Sequence, residues 1–227
     1  MSLDPDAVEA VAFDSYGTIV DVTTVEEPLA EHVESPDLVA KIWRERSLNY
    51  AMVANHVDEY DSFYEMNRAA LEYALDAAGA ETSADEREEI LSTYDELDVF
   101  DDAPEGMERL HEAGYDLYVL SNGSPEMLDT LLDHAGIDEY VEDAISVAEI
   151  ETFKPDAEVY RHAADRIGES VEDVAFAAAG WWDVPGAVDA GMQGAWVNRS
   201  GTMWGPYEIE PDVTVESFHE LADELDA

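Results

Sequence analysis

A short apolar run from Val8 to Asp14 ends on a carboxylate and is followed at once by a Gly17-Thr18 turn, which predicts a buried strand with a tight loop behind it. From Ser35 to about Ala80 the apolar positions shift to helical spacing, with Ile42, Leu48, Tyr50, Met52 and Val53 followed by Phe63, Met66, Ala70, Leu71 and Ala74. Ser83-Ala84-Asp85-Glu86 has the form of a capping box that opens another helix, and no strand candidate interrupts this region. From Asp101 the rhythm alternates. A helix at Pro104 to His111 precedes a strand Leu117-Tyr118-Val119-Leu120, a helix from Ser124, a short strand near Ala144-Ile145-Ser146 and a helix from Pro155. A strand Val174 to Ala179, a helix from Asp183 to Ala190, a strand Ala195-Trp196-Val197 and a last helix from Glu216 complete the chain. Alternating strands and helices imply a parallel sheet covered on both faces. The expected fold is therefore α/β, a doubly wound parallel sheet from residues 1–20 and 101–227, with a helical cap domain, residues 21–100, inserted after the first strand.

Charge changes this picture only at the surface. Lys and Arg number 10 against 56 Asp and Glu, a formal net charge of -46. High charge with few apolar residues would predict disorder, but 46% of the 227 residues are hydrophobic and five are tryptophan, enough for a sizeable core. The acid is spread over ordinary helices, as in Glu86-Arg87-Glu88-Glu89 and Asp223-Glu224-Leu225-Asp226. Such a surface repels itself at low salt and needs counterions, and it resembles the surfaces of proteins from extremely halophilic organisms with a salt-rich cytoplasm. Eight arginines and two lysines offer no basic stripe for nucleic acid. No apolar stretch approaches the roughly 20 residues that span a bilayer, and Met1-Ser2-Leu3-Asp4-Pro5-Asp6 lacks the regions of a signal peptide, so a cytoplasmic protein without a membrane partner is expected. With no cysteine, disulfides, zinc-thiolate sites and cysteine nucleophiles are excluded.

In a doubly wound sheet, chemistry gathers at the carboxyl ends of the strands. Four groups fall there. The first is Asp14, with Thr18 on its loop and Asp21 beyond. The second is Ser121-Asn122-Gly123-Ser124, where Ser124-Pro125 has the form of an N-cap and first helical residue. The third is Lys154-Pro155 with Tyr160, where Pro155 would begin a helix and leave the ammonium just outside it. The fourth is Asp183 after the pair Trp181-Trp182. Singly, each has a plain explanation: a turn or helix cap for Asp14, Ser121-Asn122-Gly123 and Asp183, core packing for the tryptophans. Lys154 is harder to explain away, because Lys41 is the only other lysine among 56 acids, and a specific anionic partner accounts for it better.

Together, in this order, the four groups resemble the haloacid dehalogenase superfamily over nearly the whole chain. Phosphatases of that superfamily carry a second Asp two residues after the nucleophile; this chain has Tyr16. Asp14-Ser15-Tyr16-Gly17-Thr18 instead resembles the corresponding loop of L-2-haloacid dehalogenases, as do Leu120-Ser121-Asn122-Gly123-Ser124, Lys154-Pro155 with Tyr160, Trp182-Asp183, and Trp196-Val197-Asn198-Arg199 with Gly201. Trp43-Arg44 with Leu48, Tyr50, Tyr60 and Phe63 is similar to the cap helices. Ala179 stands where phosphatases have the first of two acids, which weakens metal ligation.

The resemblance implies removal of halogen from short 2-haloalkanoic acids without metal or other cofactor. Asp14 would be the nucleophile, Thr18 would position it, Lys154 would hold it ionised, and Asp183 would orient Lys154 or activate water. Ser121 with the backbone N–H groups of Ser15 and Tyr16 would bind the substrate carboxylate, Asn122 would contact the halide, and Tyr16, Tyr160, Trp182 and Phe63 would line the pocket. A homodimer formed through the cap is implied in the same way. Two departures stand out. Val33-Glu34-Ser35-Pro36 lies where the family places a halide-binding Arg, leaving Arg44 and Arg46 as replacements, and Ala177-Ala178-Ala179-Gly180 lies where it tends to show Ser and Asn. Two rival readings are a superfamily phosphatase acting on a small metabolite and a non-catalytic binding protein of the same fold.

Overall fold

Ala10-Val11-Ala12-Phe13 forms the first strand, β1 (Ala10–Phe13), buried at every position. A run without polar alternation has to be covered on both faces, which places it inside a sheet and not at an edge. In the computed structural model, which describes residues 3–57 and 59–227, that expectation is met. Among the described residues the further strands are β2 (Asp116–Ser121), β3 (Val141–Ser146), β4 (Val174–Ala178), β5 (Gln193–Val197) and β6 (Val213–Val215). They form one parallel sheet in the order β3-β2-β1-β4-β5-β6. Phe13 lies opposite Val119 of β2 on one side and Ala177 of β4 on the other, so both neighbours end level with β1.

The chain divides into two compact units, Met1–Val20 with Val99–Ala227 and Asp21–Asp98. Within the second, α1 (Glu26–Leu29), α2 (Pro36–Val57), α3 (Phe63–Ala78) and α4 (Ala84–Ser92) follow one another. The Trp43 indole of α2 is fully buried and donates to the Asn67 carbonyl of α3 at 2.9 Å, fastening the helix pair. Ser62 caps α3 and Gly79, at φ 71, ends it. The Ser83–Glu86 capping box starts α4 as its sequence predicts.

The sheet unit carries α5 (Asp102–Ala113), α6 (Pro125–Ala135), α7 (Ala157–Ile167), α8 (Val184–Ala190) and α9 (Phe218–Glu224). On α5, Ala103, Gly106, Met107 and Leu110 are buried, the spacing of a single apolar stripe. Ser124 caps α6 with Pro125 behind it. Phe13 packs on Phe218 of α9 with ring centroids 4.9 Å apart, and full burial of such a side chain contributes about 1.5–3 kcal/mol.

Several boundaries differ from the sequence reading. β1 begins at Ala10 and not at Val8, and β4 ends at Ala178. Pro155 does not open α7: Asp156, in an extended conformation, accepts the Glu158 N–H at 3.0 Å and caps the helix. An aspartate that satisfies an orphan donor makes a better start than the proline just before it. The last helix begins at Phe218 behind its Ser217 cap, and the short elements α1 and β6 were not anticipated. Met1 and Ser2, part of the N-terminal segment read above, lie outside the described residues. Among the described residues no helix is long and apolar enough to cross a membrane.

Candidate active site

Strand order runs outward from β1 in both directions, so the carboxyl ends of β1, β2 and β4 border the crevice where the order of the strands reverses. Asp14 follows β1, Ser121 ends β2, and the loop to Asp183 follows β4. The Asp14 N–H still donates to the Ala177 carbonyl at 2.9 Å, so the side chain leaves the sheet at its last bond. Behind it the chain turns at Gly17, whose φ of 93° lies in the left-handed region where a side chain is strained. The turn brings Thr18 back onto Asp14. The Thr18 hydroxyl donates to Asp14 Oδ2 at 2.8 Å and accepts the Ala179 N–H at 2.9 Å, tying the loop after β1 to the end of β4.

Lys154 supplies the other half of the arrangement. Its Nζ donates to Asp14 Oδ1 at 2.7 Å and to the Leu120 carbonyl at 3.0 Å, and lies 2.7 Å from Asp183 Oδ2. The ammonium also faces the Phe176 ring, with 5.2 Å to its centroid. Burial of Lys154 favours the neutral amine, but the charges of Asp14 and Asp183 outweigh it and hold the lysine above its ordinary range. Burial pushes Asp183 up to about 6; Lys154 pulls against this shift and the charge of Asp14 adds to it. The Tyr160 hydroxyl donates to the Asp183 carbonyl at 3.0 Å and to Asp183 Oδ1. Burial, then the Asp183 charge, keeps that phenol well above its usual value, so it remains a donor.

These contacts settle some of the plainer alternatives. Asp183 occupies the cap position of α8 but makes no side-chain cap hydrogen bond; its carboxylate turns inward to Lys154 and Tyr160. Tyr160, read from the sequence as a pocket-lining residue, is fully buried behind Asp183, so its hydroxyl acts on that carboxylate. Lys154 does not stand at a helix start, because α7 begins beyond Asp156 and the ammonium reaches instead to the end of β1. Trp181 and Trp182 are not core residues: Trp181 is 39% exposed and stacks on Tyr207, and Trp182 is half-buried. The Trp182 indole lies over Gly180, where an added Cβ would be 3.0 Å from its Nε1.

The loop after β2 is equally fixed. Ser121 Oγ and Ser15 Oγ share a hydrogen bond of 2.6 Å, and Ser121 Oγ also accepts the Gly123 N–H at 3.0 Å. Asn122 Oδ1 accepts the Lys154 N–H at 3.0 Å, which joins this loop to the lysine segment. Tyr16 is buried and lies against Gly123, where a Cβ would sit 3.2 Å from its ring. Asp14, Thr18, Ser15, Ser121, Asn122, Lys154, Tyr160 and Asp183 are thus linked in one cluster of hydrogen bonds and ion pairs, with the Thr18 N–H on the Ser15 carbonyl joining the two serines to it. Phe63 is buried at the start of α3 in the helical unit, and Asp21 caps a turn there by accepting the Thr23 N–H at 2.8 Å. Arg44 lies beside the buried Tyr94 phenol, and Arg46 stacks on Tyr73 at 3.8 Å; both are partly covered helix residues of that unit.

Three further groups serve the cluster without having been singled out for a role in the sequence. Ser146 donates to the Gly123 carbonyl at 2.6 Å; Phe176 backs the ammonium; Arg199 donates to the Thr18 carbonyl at 3.0 Å. Among the described residues no three His, Cys, Asp or Glu side chains group as metal ligands.

The cluster leaves one carboxylate within reach of solvent. Thr18 and Lys154 fix both carboxylate oxygens of Asp14, yet its side chain keeps 9% exposure. A family model for haloacid dehalogenase-like hydrolases matches residues 8–191. The (S)-2-haloacid dehalogenase 4A of Burkholderia cepacia is 32% identical over 91% of this chain and 89% of its own. The (S)-2-haloacid dehalogenase 1 of Pseudomonas sp. (strain CBS-3) is 33% identical over 86% of each. The structure of L-2-haloacid dehalogenase from Xanthobacter autotrophicus with chloropropionic acid covalently bound superimposes with a TM-score of 0.90 at 26% identity, covering 97% of this chain and 99% of the other. The chain belongs to the haloacid dehalogenase-like hydrolases, within their L-2-haloacid dehalogenase branch.

Proposed function

We propose that this protein hydrolyses short (S)-2-haloalkanoic acids to 2-hydroxy acids through an ester on Asp14. The observation that carries the reading is the setting of Asp14, braced by Thr18 and Lys154, with Tyr16 and no acid two residues on. A nucleophilic carboxylate with no acid two residues on to protonate the leaving group suits one that departs as a stable anion, and halide is one.

One Asp14 oxygen attacks C2 in line, the carbon–halogen bond breaks with its electron pair on the halide, and the configuration at C2 inverts. Water then attacks the carbonyl carbon of the aspartyl ester. Its oxygen remains on Asp14, the bond between that carbonyl carbon and the ester oxygen breaks, and the 2-hydroxy acid leaves with the former carboxylate oxygen as its hydroxyl. One proton is released in total, and in this reading Asp183 takes it from the water. Lys154 keeps Asp14 ionised and neutralises charge as the ester breaks down. Ser121 and the Ser15 and Tyr16 N–H groups bind the substrate carboxylate, Asn122 meets the halide, and Tyr16 and Trp182 keep bulk water from the reacting carbon.

The helical unit, with Phe63, Arg44 and Arg46, is the cap domain of this chain. The protein works as a cytoplasmic enzyme in salt-rich solvent, where counterions screen a net charge of -46. Turnover of (S)-2-chloropropionate in oxygen-18 water, with EDTA present, tests the reading. Chloride must appear, and in a single turnover the label must enter Asp14 and not the product. Label found directly in the product would refute the ester, and magnesium-dependent phosphate release without dehalogenation would establish the phosphatase rival.

A further inference from the structure

Arg199 lies just beyond β5 and is among the most constrained cations of the sheet unit. Its Nη1 donates to Asp102 Oδ1 at 2.6 Å and its Nη2 to the Thr18 carbonyl at 3.0 Å. The guanidinium lies over the Phe100 ring at 4.2 Å and near the Phe218 ring at 5.2 Å. Asp102 is held in turn, because its Oδ2 accepts the Phe218 N–H at 2.6 Å. Both side chains are largely covered, at 14% and 16% exposure, so solvent screens the pair weakly. A planar fork that satisfies a carboxylate with one arm and a backbone carbonyl with the other fixes a position that a point charge would not.

The two segments it joins give this pair its meaning. Thr18 lies two residues before the chain leaves the sheet unit after Val20, and Asp102 lies three residues after it returns at Val99. These segments are also bonded to each other, through the Phe100 N–H on the Ile19 carbonyl at 3.0 Å and a Val20–Val99 bridge. Arg199 holds the Thr18 carbonyl while the Thr18 hydroxyl holds Asp14. The backbone of one residue therefore transmits the hold of a distant ion pair to the nucleophile.

We infer that Arg199, anchored by Asp102, is a positioning residue that sets the orientation of Asp14 through Thr18. The inference rests on the proposed role of Asp14. Removal of the guanidinium releases the Thr18 carbonyl, so the loop relaxes and Asp14 samples orientations out of line with C2. A misplacement of the order of 1 Å costs about 100-fold in rate. Ser121, on the loop after β2, keeps its hold on the substrate carboxylate while the Ser15 and Tyr16 N–H groups share the relaxed loop, so kcat suffers more than KM.

The test uses Arg199→Gln, Arg199→Lys and Asp102→Asn with (S)-2-chloropropionate. Expected for Arg199→Gln is a fall in kcat of about 10- to 100-fold with KM changed less than about threefold, and a matching fall in the single-turnover rate of ester formation. Arg199→Lys recovers part of the loss, and Asp102→Asn loses less than Arg199→Gln because the guanidinium remains. A rise in KM alone, an unchanged kcat, or a slowing confined to ester hydrolysis would overturn the inference. A wild-type chain that releases no halide would refute the proposed activity instead. The positioning claim is then decided by a crystal structure of Arg199→Gln, in which the 2.8 Å bond between Thr18 and Asp14 must be lost; if it persists, the inference fails.

Discussion

Lys154 lies 2.7 Å from Asp183, ammonium to carboxylate, with neither side chain exposed to solvent. The same nitrogen donates to Asp14, so one cation serves two buried acids. Two carboxylates this close repel each other: the charge of Asp14 raises the Asp183 titration, and the ammonium between them pulls it back down. Two arms of the sheet, β1 and the loop after β4, are thus coupled through a residue that belongs to neither.

Substitution of Lys154 by Met should therefore do more than remove a hydrogen bond. It leaves two acids buried without a counter-charge, a loss of about 3–5 kcal/mol when a buried pair is broken. One of them will take up a proton to avoid that cost, and a protonated Asp14 is no nucleophile. The expected outcome is loss of halide release with a lowered urea midpoint at neutral pH, part of which returns as the pH falls. Lys154→Arg should not restore activity, because a broader planar fork does not fit a pocket shaped for a compact ammonium. A folded Lys154→Met variant with activity near wild type would rule out this role.

The elevated Asp183 titration, to about 6, predicts opposite pH trends for stability and rate. An ordinary aspartate loses its proton near pH 4. Between about pH 4 and 6 the folded chain thus holds a proton that the unfolded chain has lost. The stability contributed by this group is full below about pH 4 and is lost as the pH rises through about 6. Ester hydrolysis needs the ionised form, so kcat should rise through the same window and level off above it. Asp183→Asn should remove that limb and leave an ester on Asp14 visible as a mass increase. A flat profile from pH 5 to 8 in the wild-type enzyme would contradict the assignment of Asp183 to the water.

Much of this site could be read from residue order, for specific reasons. Asp14 was legible through its company: alone it reads as a turn cap, but it heads four groups that follow the ends of successive strands in one order. Lys154 was legible through scarcity, as one of two lysines in the chain. The strands that carry the cluster were legible because β1 and β4 are apolar throughout. What escaped was set by long-range pairing. Arg199 and Asp102 are 97 residues apart, and nothing local to either marks the other. β6 spans only three residues, too few for a period to show, and its place is fixed by pairing with β5. The tryptophan pair read as core by size, whereas Trp181 finds its neighbour in Tyr207 on a distant loop. Pro155 read as a helix start because proline is favoured there, but the aspartate after it supplies the acceptor that the first turn requires.

The surface predicts a dependence on salt. Acids such as Asp85 and Glu89 on α4 and Glu224 on α9 are exposed, and the chain has few cations to balance them. At low ionic strength their repulsion extends over about 10 Å or more, and it is confined to about 3 Å at 1 M. The melting temperature should accordingly rise by about 5–10 °C or more between about 0.1 M and 2 M KCl, the scale expected for a gain of a few kcal/mol in a chain of this length. The Lys154–Asp183 pair, buried and shielded from ions, should keep its pH limb in kcat near the same value at both salt levels. A melting temperature insensitive to KCl would remove the basis for a salt-rich working solvent.

Gly186 offers a test of how tightly the lysine segment is built. It lies in α8 with ordinary helical backbone, where alanine would normally stabilise by about 0.5–1 kcal/mol. Here an added Cβ would meet the Pro155 carbonyl oxygen at 2.5 Å, Pro155 Cβ at 2.8 Å and the Tyr160 ring at 2.8 Å. Two of these atoms belong to the residue that follows Lys154, and the third to the phenol that holds Asp183, so relief of the overlap has to move the cluster. Gly186→Ala should therefore destabilise by about 1–3 kcal/mol despite its better helix propensity, and should lower kcat by displacing the ammonium. Chemical denaturation and initial-rate kinetics on the same preparation measure both effects. A more stable Gly186→Ala variant with unchanged kcat would mean that α8 can slide away from Pro155 without disturbing Lys154, and the rigidity assigned here to that segment would be wrong.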